Sequence, residues 1–185
     1  DTYVSNGDRD VFITKLDLNG NFICTRVFGD SGTDKGKGID VDNAGNVYAT
    51  GFITGQVDVD GTTLGTPGTM NGFMVKLDPN GNFIHQDDVQ PDVSQGLQIK
   101  CDDNGYVYLC GEILYDSYVA DVLVTGPTTL SWRDGFIAKL DTAFNGQWVN
   151  VAAGLLHTGG ESIAISDEHV YLTGFYTYDT DFNRN

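Results

Sequence analysis

The stretch GFMVKLDPNGNF (Gly72–Phe83) decides the fold, because the chain repeats it. DVFITKLDLNGNF comes before it at Asp10, and GFIAKLDTAFNGQW follows at Gly135. A second phrase alternates with the first: GIDVDNAGNVYATG (Gly38–Gly51), LQIKCDDNGYVYLCG (Leu97–Gly111) and SIAISDEHVYLTG (Ser162–Gly174). Lys15, Lys76 and Lys139 mark the period at 61 and 63 residues, and joining the two ends would close one more lap of 61. Such long-range self-similarity signals a repeat architecture, in which each unit buries its apolar face on its neighbours. The units are read as 10–71, 72–134 and 135–185, with 1–9 as the tail of a preceding or closing unit, and 1–185 as one repeat region.

Each unit reads as four strands and a small hairpin. VFITKL (Val11–Leu16) is rich in β-branched and aromatic residues, and the turn DLNG sends it back as NFICTRVF (Asn21–Phe28). The Gly-rich loop GDSGTDKG (Gly29–Gly36) leads to the strand GIDVD, the turn NAG and the strand NVYATGFIT (Asn46–Thr54). QVDVDGTTLG then makes the short excursion. FMV, FIA, VYL and VYA are apolar on both sides, which predicts sheets covered on both faces rather than a meander with one wet face. No stretch carries the 3.6-residue period of an amphipathic helix. The predicted fold class is all-β: propeller blades of about four antiparallel strands, three repeats of ~62 residues, in a larger propeller of 6–8 blades or an oligomer that completes one. The ends pair in space, or the piece belongs to a longer array.

The 185 residues carry 10 basic and 26 acidic side chains, a net charge of −16, which opposes a nucleic-acid backbone or an anionic membrane as partner. The same charge suits solubility, cation-rich media or a basic partner. The 24 Gly, 10 Phe and 9 Tyr fit short strands joined by tight turns. No apolar run approaches the ~20 residues of a membrane-spanning helix. A chain opening at Asp1, with neither an initiator Met nor a signal peptide, reads as a processed product or an ordered part of something longer. Cys24, Cys101 and Cys110 each lie in an apolar strand context without C-x-x-C spacing, so buried free thiols are expected. A disulfide between two of them stays open.

The wording TGQVDVDGTTLGTPGTMNGFMVKLDPNGNF (Thr54–Phe83), preceded by GTDKGKGIDVDNAGNVYATG, resembles the bacterial β-propeller repeats known as SBBP. The likeness recurs in every unit. It departs in the third, where Thr142, Ala143 and Phe144 read as extra turn residues and the second turn shortens to SDEH. It departs also in the second, where VQPDVSQG replaces the Gly-Asp-Ser-Gly loop. The resemblance implies a propeller of secreted or surface-attached proteins, often inside larger chains, and carries no catalytic residues across.

The turns DLNGN (Asp17–Asn21), DNAGN (Asp42–Asn46), DPNGN (Asp78–Asn82) and DDNGY (Asp102–Tyr106) look like calcium-loop fragments. A calcium ion needs six or more converging oxygens, so Asp capping a tight Asn-Gly turn is the better reading. Asp179, Asp181 and Asn183 match the start of an EF-hand loop, but Arg184 stands where its Gly belongs. Asp58 and Asp60 hold the matching place in the first unit, and Asp121 stands alone in the second. These five residues, Asp58, Asp60, Asp179, Asp181 and Asn183, are the partial calcium candidates; no other cofactor is expected. The Lys repeat reads as stems laid over neighbouring units, with a ring of cations as the functional alternative. Tyr48, Tyr108 and Tyr171 also share one slot and read as packing. Trp148 is aligned with Phe22 and Phe83 as core, and Trp132 is expected on the surface. His85, His157 and His169 fall in different slots, without a catalytic order.

The leading expectation is a non-enzymatic, extracellular or surface-displayed module that binds protein or glycan or serves as a structural component of a larger assembly. Its further partners would be more propeller repeats or copies of itself, with no nucleic acid and no membrane insertion. The alternative is a glycan-active hydrolase or lyase, which needs two carboxyls converging at a channel mouth.

Overall fold

The computed structural model describes residues 2–89, 94–124, 132–154 and 156–184. These residues form antiparallel β-sheets without a helix. Strands β1 (Val11–Leu16) and β2 (Phe22–Phe28) make the first hairpin. β3 (Lys35–Val41), β4 (Val47–Thr54), β7 (Met70–Leu77) and β8 (Phe83–Val89) form a four-stranded sheet in that order. The small hairpin of β5 (Val57–Val59) and β6 (Thr62–Leu64) lies on the path from β4 to β7.

The next sheet repeats this plan with β9 (Gln95–Cys101), β10 (Tyr106–Ile113), β13 (Asp134–Asp141) and β14 (Gly146–Gly154). Its small hairpin is β11 (Ser117–Val119) with β12 (Val122–Val124). β15 (Thr158–Ile165) and β16 (Val170–Tyr176) then pair alone, while β17 (Thr180–Arg184) joins the free edge of β14 as a fifth strand. The strand contents follow the sequence reading closely, but the sheets are phased differently from the units 10–71, 72–134 and 135–185. Each sheet begins at the GIDVD-type strand and runs across the unit boundary, because VYATG pairs with the next GFMVKL rather than with the one before it.

The sheets stack face on face in chain order. Val11 and Phe28 pack with Ile53, Phe73 and Leu77 of the second sheet. Tyr48, Met74 and Val89 on its other face pack with Ile99, Leu109 and Phe136 of the third. Tyr108, Cys110 and Ile137 meet Ile163 of the fourth. Strands β4, β7, β10 and β13 are therefore buried on both faces, which explains their unbroken apolar runs. Each fully buried aromatic or aliphatic side chain here contributes roughly 1.5–3 kcal/mol. The described residues form no closed ring.

The repeat extends to irregularities. Each outer hairpin carries a register shift after its Lys, at Lys15/Leu16, Lys76/Leu77 and Lys139/Leu140. At the junctions between sheets, Ser94 Oγ accepts the Gly72 amide at 2.9 Å and donates to the Val89 carbonyl at 2.9 Å. Thr158 Oγ1 does the same with the Gly135 amide, 2.8 Å away, and the Ala152 carbonyl. One buried hydroxyl thus ties the last two strands of a sheet to the first strand of the next.

Candidate functional site

The repeated turns are assembled from their own atoms. Asp17 Oδ1 accepts the Asn19 and Asn21 amides at 2.8 Å each, and Oδ2 accepts the Asn21 side-chain amide at 2.7 Å. Asp42, Asp78 and Asp141 repeat the arrangement with Asn46, Asn82 and Asn145. Asp102 holds the Asn104 and Tyr106 amides in the same way. The Asn21 amide holds the Asp17 carboxyl below its ordinary value of 3.8, and the Asn82 backbone and side-chain amides do the same for Asp78. At Asp42 and Asp141 burial pushes upward, but the Asn46 and Asn145 hydrogen bonds outweigh it and the net shift is downward. These carboxylates are committed to shaping turns.

Gly20, Gly45, Gly81 and Gly105 supply the positive φ that closes these turns, at 85°, 83°, 84° and 81°. In the last turn Phe144 holds that position at φ 62°, and its amide reaches the Asp141 carbonyl at 3.0 Å, as Gly81 reaches Asp78. Thr142, Ala143 and Phe144 are therefore not extra residues. The turn keeps its length, and Phe144 replaces a glycine. Its ring is buried 6.1 Å from that of Tyr48 and 5.1 Å from that of His85 on the preceding sheet. This corrects the alignment of Trp148 with Phe22 and Phe83. Trp148 pairs with Lys139 in the place where Cys24 and His85 pair with Lys15 and Lys76, and it is half-exposed against Tyr108. Trp132 is exposed, as expected.

Two lysines of the repeat, Lys15 and Lys76, link neighbouring sheets, while Lys139 stays over its own. Lys15 Nζ donates to the Pro79 carbonyl at 2.6 Å, and Lys76 Nζ to the Thr142 carbonyl at 3.0 Å, each reaching the turn one period along. Lys139 Nζ sits 3.7 Å from the centroid of Tyr106. Tyr48 and Tyr108 reach back to their own turn carboxylates, Asp42 and Asp102, at 3.2 and 3.3 Å. Burial, followed by the charge of Asp42, pushes the Tyr48 hydroxyl upward.

The partial calcium candidates lie on the small hairpin β5–β6 and at β17, in two separate places. Asp58 Oδ1 accepts the Gly61 amide at 3.2 Å, and Asp60 takes the positive φ of that turn, 52°. Asp179 precedes β17 and Asp181 lies on it, opposite Ala153; the Asn183 side chain falls outside the described residues. Asp121, the single acid of the second unit, accepts the Gly146 amide at 2.8 Å. Among the described residues no three His, Cys, Asp or Glu side chains gather as metal ligands. The three cysteines are free. Burial pushes the Cys101 and Cys110 thiols up to about 12.

A charged cluster escapes sequence reasoning altogether. Glu112, at the end of β10, is buried; its Oε2 takes Arg133 Nη1 at 3.0 Å and Gln95 Nε2 at 2.7 Å. His157 Nε2 lies 3.4 Å from Oε1. Glu112 pairs with Gln95 where Phe52 pairs with Lys35 and Phe175 with Gly159, so among the described residues this slot holds a carboxylate in the third sheet and an aromatic ring in the other two. The residues come from separate loops and strands and form no local motif, so nothing in the sequence gathers them around Glu112.

Two clefts flank the incomplete sheets. One, of about 610 Å³, opens between Val11–Thr14 of β1 and Lys35–Ile39 of β3. The other, of about 570 Å³, opens beside β16 and is floored by Ile137, Trp148, Asn150 and Ala152. No protein-family model matches this chain, and a search of curated proteins finds no match.

Proposed function

We propose that the chain is a run of β-propeller blades of the SBBP type, serving as a non-enzymatic extracellular or cell-surface module that presents its loops to a protein or glycan, or builds a larger assembly. The observation that carries this reading is the contrast between a strictly repeated scaffold and unlike connecting loops. The turn carboxylates are engaged within their own turns, and the Lys15 and Lys76 links and the hydroxyl ties in holding neighbouring sheets together. The loops that lead from one sheet to the next differ in every unit: GDSGTDKG, VQPDVSQG and GLLHTGG. Repetition in the frame with variation in the loops is the pattern of a binding scaffold.

The glycan-active alternative needs a pair of carboxyls roughly 5–9 Å apart, one of them free to carry a proton. Glu112 is instead held by Arg133 and Gln95. The test is a panel of soluble glycans and basic peptides titrated into the chain by calorimetry, with each bound glycan followed for product formation. Saturable binding without product is expected. Turnover abolished by Glu112→Gln would replace this reading with the enzyme.

A further inference from the structure

Six Asn-Gly pairs occur in the chain, and the fold holds them with very different firmness. Such a pair is prone to self-modification, because the amide nitrogen after Asn can attack the Asn carboxamide and glycine sets no side chain in its way. The reaction needs a carboxamide free to turn and a following amide released from its hydrogen bond. We propose that Asn104–Gly105, at the tip of the β9–β10 hairpin, is a self-modification site, where the folded chain converts its own Asn to aspartyl and isoaspartyl forms. The proposal is independent of what the loops bind.

At three of the pairs both partners are engaged. Asn71 is buried, its Oδ1 accepts the Thr66 amide at 3.0 Å and the Thr69 hydroxyl at 2.8 Å, and the Gly72 amide donates to Ser94 Oγ. Asn145 Nδ2 donates to Asp141 Oδ2 at 2.7 Å, and the Gly146 amide to Asp121 Oδ1 at 2.8 Å. Asn6 Nδ2 donates to the Gly29 carbonyl at 3.4 Å, and the Gly7 amide to Ser5 Oγ at 3.2 Å. The Asn80–Gly81 pair is covered by the first hairpin: Gly81 is buried, and a side chain there would meet Cys24 Sγ at 3.0 Å. Asn19 and Asn104 remain. Both are exposed at turn tips, and their carboxamides make no hydrogen bond among the described residues.

These two differ in how the attacking nitrogen is fastened. The Gly20 amide reaches the Asp17 carbonyl at 3.0 Å, whereas the Gly105 amide reaches the Asp102 carbonyl at 3.4 Å. Asn21 clamps the first turn through its side-chain amide, 2.7 Å from Asp17 Oδ2. Tyr106 stands in that slot of the second, where Asp102 Oδ2 has the Tyr108 hydroxyl at 3.3 Å instead. Opening a hairpin tip costs far less than unfolding the chain. In the opened turn the Gly105 nitrogen gives up its proton to solvent and bonds to Asn104 Cγ, and ammonia leaves. Water then opens the resulting succinimide ring. Cleavage of the N–Cγ bond gives aspartate, and cleavage of the bond from nitrogen to the main-chain carbonyl carbon gives isoaspartate. One water enters and one ammonia departs, without oxidant or reductant. The Asp103 carboxylate opposes ionisation of the amide, but an exposed charge in water is the weaker influence. Either product adds a carboxylate beside Asp103, which accepts the Asn43 side-chain amide of the preceding sheet's turn at 2.9 Å. The isoaspartyl form also lengthens the backbone of the turn by a methylene, so conversion loosens this tip and its tie to the sheet before it.

The test is incubation of the chain at neutral pH and body temperature over weeks, followed by peptide mapping that separates aspartyl from isoaspartyl products. Conversion is expected first at Asn104, roughly three- to tenfold faster than at Asn19, the worth of one weakened hydrogen bond. It is expected to be slowest at Asn71 and Asn145. In concentrated urea the rates of all the pairs converge, because the fold sets their order. Tyr106→Asn supplies the missing clamp and slows Asn104 by a similar factor. Asn21→Tyr removes the clamp from the first turn and speeds Asn19, which carries the test if the other variant does not fold. Conversion at Asn104 no faster than at Asn19 overturns the proposal, as does a lead by Asn71 or Asn145. So does an order that persists unchanged in urea, which would place the cause in the local sequence. Rates untouched by either clamp variant sink it as well. Binding of glycans or peptides by the unmodified chain is a separate readout, so failure of one reading leaves the other standing.

Discussion

The sheet β3-β4-β7-β8 and the hairpin β1–β2 contain nearly the same words, yet they differ in what covers them. GFMVKL in β7 is buried along almost its whole length, while VFITKL in β1 is mostly exposed beyond Val11. The same Phe is at 0% exposure in one and 70% in the other. Sequence therefore sets the strand, its partner and its bulge, and the neighbouring sheet sets the energy. The largest expected effect tests this directly. Phe73→Ala should destabilise the chain by about 3–5 kcal/mol in urea unfolding. Phe12→Ala should change it by less than about 0.5 kcal/mol in dilute solution.

The second contrast lies between the slot at Glu112 and its counterparts at Phe52 and Phe175. Arg133→Met leaves a buried carboxylate without its cation and should cost about 3 kcal/mol. Glu112→Phe together with Arg133→Met restores the apolar pattern of the neighbouring sheets and should recover most of that loss. A double variant no better than the single one would mean that the ion pair does more than fill the slot.

A smaller effect is expected at the junctions. Ser94→Ala strands the buried Gly72 amide, while the Val89 carbonyl keeps the Asn71 side-chain amide at 3.3 Å, and should cost about 2 kcal/mol. Thr158→Val keeps the volume and removes the same tie at the next junction. The two losses should agree within about 1 kcal/mol if the junctions are equivalent.

The all-β class, the strand contents and the hairpin turns were legible in the sequence, because KLDPNGNF states a strand end, a capping Asp and a positive-φ Gly within eight residues. The phasing of the sheets was not. A repeat has no natural starting point, and only the pairing of β4 with β7 chooses one. Phe144 was missed because an aromatic at a left-handed turn position looks like an insertion until its ring is seen against Tyr48. Glu112, Arg133 and His157 could not be assembled from spacing at all. The hydroxyls of Ser94 and Thr158 lay hidden among unlike loops, since only their position before the inner strand is shared.

The smallest effect concerns acid, and it separates the turns from the buried acids. Asp17, Asp42, Asp78 and Asp141 hold folded-state values below 3.8, so the folded chain binds their protons less readily than the unfolded chain does. Their contribution is complete above that ordinary value and is lost as pH falls through the folded values. Asp34 and Asp87 run the other way. Burial raises both, so their ionised forms oppose folding and their protonation relieves it as pH falls through their raised values. Acidification should therefore first leave Tm level or slightly higher, then lower it below about pH 3.8 as the turns lose their anions. Replacing Asp42 and Asp141 by Asn should flatten the second phase, whereas Asp34→Asn should remove part of the first. A Tm that falls steadily from neutral pH, unchanged by the turn variants, would show that the repeated carboxylates shape these turns without stabilising them.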